Sequence, residues 1–283
     1  MLDYRIITFL KLCETMNYHI TGDELHMSQP SVTNHIQSLE EEYNCKLFIY
    51  NNKKLYITKE ALILKNYATA AYYNDLELRN TLNKKNKLSI RMGATKTIGD
   101  FVVKNNIINF LKNENYEFSL IVDNTEHLLR RLDNNKLDFA LIEGFFDKNK
   151  YNYQLYSSEK FVGICSKSHA FANKSIKIEN IFNESIIVRE KGSGTRAIFE
   201  KELEKQNYSL NNFKKVTSIS SFELIKSLVI ENHAISFVYD IISKSDANLC
   251  TFEIEGIHIK QNFNYVFLKN TNAKRLINIF ERK

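Results

Sequence analysis

The side chains of this 283-residue chain best suited to chemistry fall into two sets. The first surrounds the only proline. Ser28, Gln29, Pro30, Ser31, Thr33, Asn34 and Gln37 form a run of short or planar hydrogen-bonding groups with one rigid residue among them. Asn and Gln can bond N6 and N7 of adenine together, and Ser and Thr can reach bases or phosphates. Lys46, Lys53 and Lys54 follow closely and could grip a phosphate backbone, which positions a protein without specifying sequence. A solvated helix face has the same composition, so spacing alone leaves both readings open.

The second set stands where strands run into helices. Thr95, Lys96 and Thr97 lie in Gly93-Ala94-Thr95-Lys96-Thr97-Ile98-Gly99. Ser193, Gly194, Thr195 and Arg196 close the stretch that begins Arg189-Glu190-Lys191-Gly192, and Ser220 lies in Ser218-Ile219-Ser220-Ser221. Backbone N–H groups at a positive helix end, joined by hydroxyls, make an anion cradle. Plain helix capping is the competing reading. Neither GxxxxGK[ST] nor GxGxxG fits, which argues against a nucleotide loop. Glu143 ends an apolar run nearby and would repel an anion unless Arg196 or a protonated group offsets it. It could instead be a structural partner for Arg196 or a backbone amide.

Catalytic and metal chemistry find little support. The seven histidines are scattered at 19, 26, 35, 127, 169, 233 and 258, with no HExxH and no GxSxG serine. Cys13, Cys45, Cys165 and Cys250 form no CxxC, which reads as a reduced protein without zinc or a disulfide framework. We expect no catalytic residue, metal or cofactor. There is no signal-peptide pattern and no apolar run long enough for a membrane span, so the expected location is the cytoplasm. A formal net charge of +6 suits a nucleic-acid or anionic partner without proving one.

Elements must position these groups. Apolar spacing predicts helices over residues 4–16 and 21–25 and a third from Ser28, whose hydroxyl can cap it while Pro30 occupies the first turn. Val32, Ile36, Leu39 and Tyr43 form that helix's apolar stripe. Residues 47–50 and 55–57 read as a hairpin around a basic turn, completing a winged helix-turn-helix order. Residues 59–82 read as one long helix with more apolar surface than a small domain covers, which suits pairing with a copy of itself. Asn83-Lys84-Lys85-Asn86-Lys87 reads as a hinge. Beyond it, strand-like stretches at 88–94, 116–122, 137–143, 161–166, 185–189, 213–217, 234–239 and 264–268 alternate with helices, including 98–111 and 125–132. That alternation argues an α/β unit of two lobes around a cleft.

Leu25-His26-Met27-Ser28-Gln29-Pro30-Ser31-Val32-Thr33, with Ile36, Leu39-Glu40, Leu47-Phe48 and Thr58, resembles the N-terminal domain of LysR-type transcriptional regulators. The chain departs from that pattern at Thr21-Gly22, where two alanines are usual, and at Tyr50, where an arginine is usual. Leu137-Asp138-Phe139-Ala140-Leu141-Ile142-Glu143-Gly144 and the Gly-Ser-Gly-Thr-Arg of 192–196 resemble the branch that controls sulfur-assimilation and carbon-fixation genes. The resemblance implies a winged helix-turn-helix over 1–58, a linker and dimerisation helix over 59–87, and a periplasmic-binding-protein-like effector domain over 88–283. Lobe 1 would take about 88–160 and 265–283, and lobe 2 about 161–264. Implied partners are promoter DNA, a small anionic effector, and further copies of the chain as a dimer or tetramer. The alternative is a cytosolic non-catalytic solute receptor whose helix-turn-helix mainly serves oligomerisation.

Ordinary usage would place roughly 14 prolines in a chain of this length. The one that remains, Pro30, therefore reads as a demand of the recognition helix's first turn. Pro30→Gly is expected to weaken DNA binding more than it lowers folding stability. Parental DNA affinity in a gel-shift titration of the variant would contradict this.

Overall fold

A computed structural model describes residues 2–52, 54–82 and 88–282. The hinge expected at 83–87, and Lys53, lie outside the described residues.

Three helices open the chain: α1 Tyr4–Thr15, α2 Tyr18–Leu25 and α3 Gln29–Glu42. α2 begins three residues earlier than its apolar spacing predicts, because the Asn17 side chain accepts from the backbone N–H of His19 and Ile20. Ser28 caps α3 by accepting from the Ser31 N–H at 3.3 Å, and Pro30 occupies the first turn, where its missing N–H goes unused. Val32, Ile36 and Leu39 are buried, and Phe9, Leu12 and Leu47 complete the small core. Each such side chain contributes about 1.5–3 kcal/mol by leaving water. Tyr43, expected on the same stripe, is 49% exposed at the C-cap, and Glu40 takes the buried place. The hairpin is β1 Phe48–Asn51 with β2 Lys54–Ile57, antiparallel and in register from Phe48↔Ile57 to Asn51↔Lys54.

The long helix α4 covers Lys59–Leu82. Ala61 and Ala68 pack on the first domain's core, while Tyr73 is buried and Thr69 O accepts from Asn135 Nδ2 at 3.0 Å. Leu62, Ile63, Tyr67, Leu78 and Leu82 stay exposed.

The remainder is α/β. In order come β3 Leu88–Ala94, α5 Lys96–Phe101, α6 Lys104–Phe110, β4 Tyr116–Val122, α7 Thr125–Asp133 and β5 Phe139–Ile142. Then follow β6 Tyr151–Ser166, β7 Ser175–Ile176, α8 Ile178–Ile181, β8 Ser185–Val188 and α9 Gly194–Lys205. After a 3-10 turn at Leu210–Asn212 come β9 Lys215–Ser218, α10 Phe222–Ile230, β10 Ile235–Tyr239 and α11 Asp240–Ser243. β11 Leu249–Ile254, β12 Ile259–Leu268 and α12 Ala273–Phe280 end the chain. The single helix expected over 98–111 is two, interrupted at Val102 and Val103, where Val103 is opened to ψ −4° and fully buried in the core.

β3, β4 and β5 are parallel, as are β8, β9 and β10. β6 and β12 join these two sets and pair antiparallel over ten positions, from Ile259↔Phe161 to Leu268↔Tyr151, with a register shift at Phe263/Asn264. β5 pairs with Asn264, Tyr265 and Val266, whereas β10 pairs with Phe161 through Ile164. The pair of strands thus passes from one lobe to the other, and the parallel sets face each other across a cleft.

Within α2, a Cβ on Gly22 would lie 2.6 Å from the carbonyl oxygen of Met27 in the turn that leads to α3. This geometry cannot hold the alanine usual there. Gly22→Ala should destabilise the domain by about 1–3 kcal/mol through overpacking. A urea midpoint equal to that of the parent would refute this.

Candidate functional site

Between the lobes, strand ends meet helix starts, as open α/β sheets place their crevices. β3 reaches α5 through Thr95, β4 reaches α7 through Asp123 and Asn124, and β5 ends at Glu143-Gly144. From the opposite lobe, β8 runs into Arg189 and Glu190 before Ser193 opens α9. These residues except Gly144, with Lys96, Thr125 and Gly194, line a cavity of about 170 Å³. The two lobes touch at its edge, where a Cβ on Gly194 would lie 3.3 Å from Gly144 Cα. Only glycines allow so close a backbone approach.

Its walls carry unpaired polar atoms. Thr95 Oγ1, Thr125 Oγ1, Glu143 Oε2 and Arg189 Nη1 are all buried and make no hydrogen bond of good geometry, although the Thr95 hydroxyl lies close enough to the Glu143 carboxyl to favour its charged form. An unpaired buried polar group costs about 1–3 kcal/mol. Four around one cavity leave a place that a polar occupant would satisfy.

The capping reading holds at one helix start and fails at two. Ser221 caps α10, accepting from the Leu224 N–H at 3.4 Å. Thr95 and Ser193 occupy the N-cap positions of α5 and α9, but neither side chain bonds its helix. Ser220 contributes its carbonyl, which accepts from Lys96 Nζ at 2.6 Å and ties the lobes together.

Glu143 is buried, and its Oε1 accepts from Thr97 Oγ1 at 3.0 Å and from Thr195 Oγ1 at 3.3 Å, one hydroxyl from each lobe. Burial pushes its carboxyl up to about 7, with the threonine hydroxyls and the Arg189 charge pulling the other way. Arg196 is not its partner. It pairs with Glu200 one turn along α9 at 2.8 Å, and its Nη1 donates to the Arg189 carbonyl at 3.3 Å. An i,i+4 pair holds it on its own helix. The guanidinium at the cavity is instead that of Arg189, which lies over the Phe222 ring at 4.2 Å and bonds Glu190 through Nε and Nη2.

The first domain presents the polar face as exposed surface. Ser28, Gln29, Pro30, Asn34 and Gln37 are exposed, and Ser31 and Thr33 are half-buried. Thr33 Oγ1 donates to the Gln29 carbonyl, and the Ser28 and Ser31 hydroxyls lie 2.8 Å apart. Lys54 is exposed at the start of β2. Lys46 is already engaged, donating to buried Glu40 at 2.6 Å. Glu40 also accepts from the Leu47 and Phe48 N–H groups and so anchors the wing to α3. Tyr50 is 70% exposed on that wing.

The profile of bacterial regulatory helix-turn-helix proteins of the lysR family matches residues 5–62, and that of the LysR substrate binding domain matches residues 85–281. The chain belongs to the LysR family of transcriptional regulators. This LysR regulator is 28% identical to an uncharacterised HTH-type transcriptional regulator, MJ0300, of Methanocaldococcus jannaschii, over 86% of this chain and 84% of that one. It is 24% identical to the HTH-type transcriptional regulator CysL of Bacillus subtilis, over 95% and 93% of the two chains. Among solved structures, a full-length OxyR variant from Pseudomonas aeruginosa superposes with a TM-score of 0.68 at 16% identity, covering 99% of this chain and 93% of that one. The winged helix-turn-helix, long helix and two-lobed α/β effector domain are thus the architecture of this LysR regulator.

Arg189, Thr125 and Glu40 were given no role by sequence reasoning. Arg189 carries a readable signal, a charge at the end of the apolar strand β8 just before a Gly-rich loop. Thr125 carries none, since only the fold brings α7 to the cavity.

Because the native Glu143 titrates near 7 and the unfolded one near 4.5, the native state holds the extra proton between those values. Stability contributed at this site falls as pH rises through that window and is level above it. Glu143→Gln should match the parent below about pH 4.5 and exceed it at about pH 8 by about 3 kcal/mol. Equal unfolding midpoints at both pH values would refute this.

Proposed function

We propose that this LysR regulator is a cytoplasmic, non-catalytic protein that binds promoter DNA as a dimer or tetramer, under the control of a small anion held between its lobes. The observation that carries the reading is the set of four buried, unpaired polar atoms around one cleft cavity. Arg189 Nη1 and the Thr95 and Thr125 hydroxyls supply donors there. Lys96, Thr97, Ser193, Gly194 and Thr195 frame it, with Glu143 at its floor. The exposed apolar residues of α4, from Leu62 to Leu82, support self-association along that helix. On the DNA side, Gln29, Asn34 and Gln37 would read bases, while Ser28, Ser31, Thr33 and Lys54 would contact the backbone. Near-balanced charge over residues 1–87, with 11 Lys and Arg against 10 Asp and Glu, favours modest affinity per domain, raised by joining several.

An effector changes DNA binding only through unequal affinity for two arrangements of the lobes. The test pairs two measurements. A gel shift with the DNA upstream of the protein's own gene should show a retarded complex, whereas a solute receptor would show none. Calorimetry with sulfite, sulfate, thiosulfate, phosphate and acetate should find at least one ligand. Thr95→Val combined with Ser193→Ala should weaken that ligand at least tenfold, as loss of hydrogen bonds to a charged group does. Binding untouched by the double variant would remove the cleft from the proposal.

A further inference from the structure

We propose that the cleft takes up its anion together with one proton, which resides on Glu143 Oε2 and turns that atom from a repelling acceptor into a donor. The inference rests on the reading of the cleft as an anion site and specifies the ligand chemistry it accepts: a small oxyanion that enters with one proton, so that the site gains one negative charge fewer than the free anion carries.

The geometry divides the two oxygens of Glu143. Oε1 is saturated by the Thr97 and Thr195 hydroxyls, whereas Oε2 is buried and makes no hydrogen bond, the Thr95 hydroxyl lying near the carboxyl without bonding that oxygen. In its ionised form Oε2 would be an acceptor facing a cavity whose other unpaired atoms, Thr95 Oγ1, Thr125 Oγ1 and Arg189 Nη1, can all donate. An anion satisfies those three donors and meets only repulsion from the fourth atom. Protonation at Oε2 completes a set of four donors around one cavity, a set that matches the lone pairs of an oxyanion.

The charges lining the cavity give the same answer. They comprise two cations, Lys96 and Arg189, against three carboxylates, Asp123, Glu143 and Glu190. Arg189 is bonded to Glu190, and Asp123 Oδ1 lies 3.0 Å from His127 Nδ1. Lys96 bonds the Ser220 carbonyl, and Asp100 of α5 lies in the field of both Lys96 and Arg189. From β10 the Tyr239 hydroxyl donates to the backbone carbonyl of Glu143 at 3.4 Å and leaves the carboxyl untouched. Glu143 is the one carboxylate of the lining with neither a bonded cation nor a histidine. It already titrates near neutrality through burial, and a second negative charge beside it favours the protonated form further. The balance is simple: an anion and a solvent proton enter, the Glu143 carboxylate becomes a carboxylic acid, and no bond of the ligand is broken.

The test is calorimetry on the full chain with sulfate, thiosulfate and acetate, which keep their charge between about pH 6 and about pH 8.5. The affinity of the anion that binds should fall about tenfold per pH unit above about pH 7, and two buffers of different ionisation heat should reveal uptake of one proton at about pH 8. Glu143→Gln, whose Nε2 donates at every pH, should bind the same anion with no pH slope and no proton uptake. A flat slope in the parent overturns the proton coupling and leaves the anion site standing. The same slope in Glu143→Gln, or loss of binding by a variant with parental circular dichroism, also overturns it. Absence of any anion binding in both proteins removes the cleft reading along with it.

Discussion

Glu143 accepts hydrogen bonds from Thr97 of one lobe and Thr195 of the other, while its own carbonyl accepts from Tyr239. A carboxyl buried this deeply is tolerated only where hydroxyls and a nearby cation compensate its lost hydration. The groups that compensate it belong to α5, α9 and β8, so the position of one side chain registers how the lobes stand. Lys96 on the Ser220 carbonyl and the Gly144–Gly194 approach set the same register from either side. All three contacts are polar or backbone contacts at the cleft, so an occupant bearing charge acts directly on them.

The apolar structure supplies the rigid frame. One core runs continuously through both lobes by way of Phe161, Tyr239 and Phe263, whose rings meet edge-on in turn, and Tyr265, which meets Phe139 and Tyr156 edge-on, while the paired β6 and β12 carry the backbone across. The register shift at Phe263/Asn264 lies in the crossing itself. Bulges of this kind bend and twist a strand pair.

At the other end, the wing and recognition helix are joined by a second buried carboxylate. Glu40 holds the N–H groups of Leu47 and Phe48 and neutralises itself on Lys46. The long helix α4 then packs its alanines on this domain and its Tyr73 and Thr69 against lobe 1, with Lys136 paired to Glu14 across the junction. A rotation of the lobes therefore has a packed route to the recognition helix.

Local rules made much of this legible in the sequence. Ser28 and Pro30 define the start of α3 through capping and φ alone, and the alternation of strands and helices reports the α/β class because its periods are set by backbone geometry. The family follows from the same short-range constellation. Side-chain direction was not legible. Arg189 and Arg196 stand seven residues apart in one loop-and-helix stretch, and only packing decides between them. Phe222 and Glu190 hold Arg189 at the cavity, whereas Glu200 keeps Arg196 on its own helix. Thr95 and Ser193 look like caps in one dimension, yet neither hydroxyl bonds its helix, and Thr95 Oγ1 is buried beside the cleft without a partner. The sequence by itself determined where elements begin and which residues crowd their junctions, since those depend on neighbours along the chain. The tertiary structure alone decided which polar atoms are left buried and unpaired, because desolvation depends on what the far lobe brings against them.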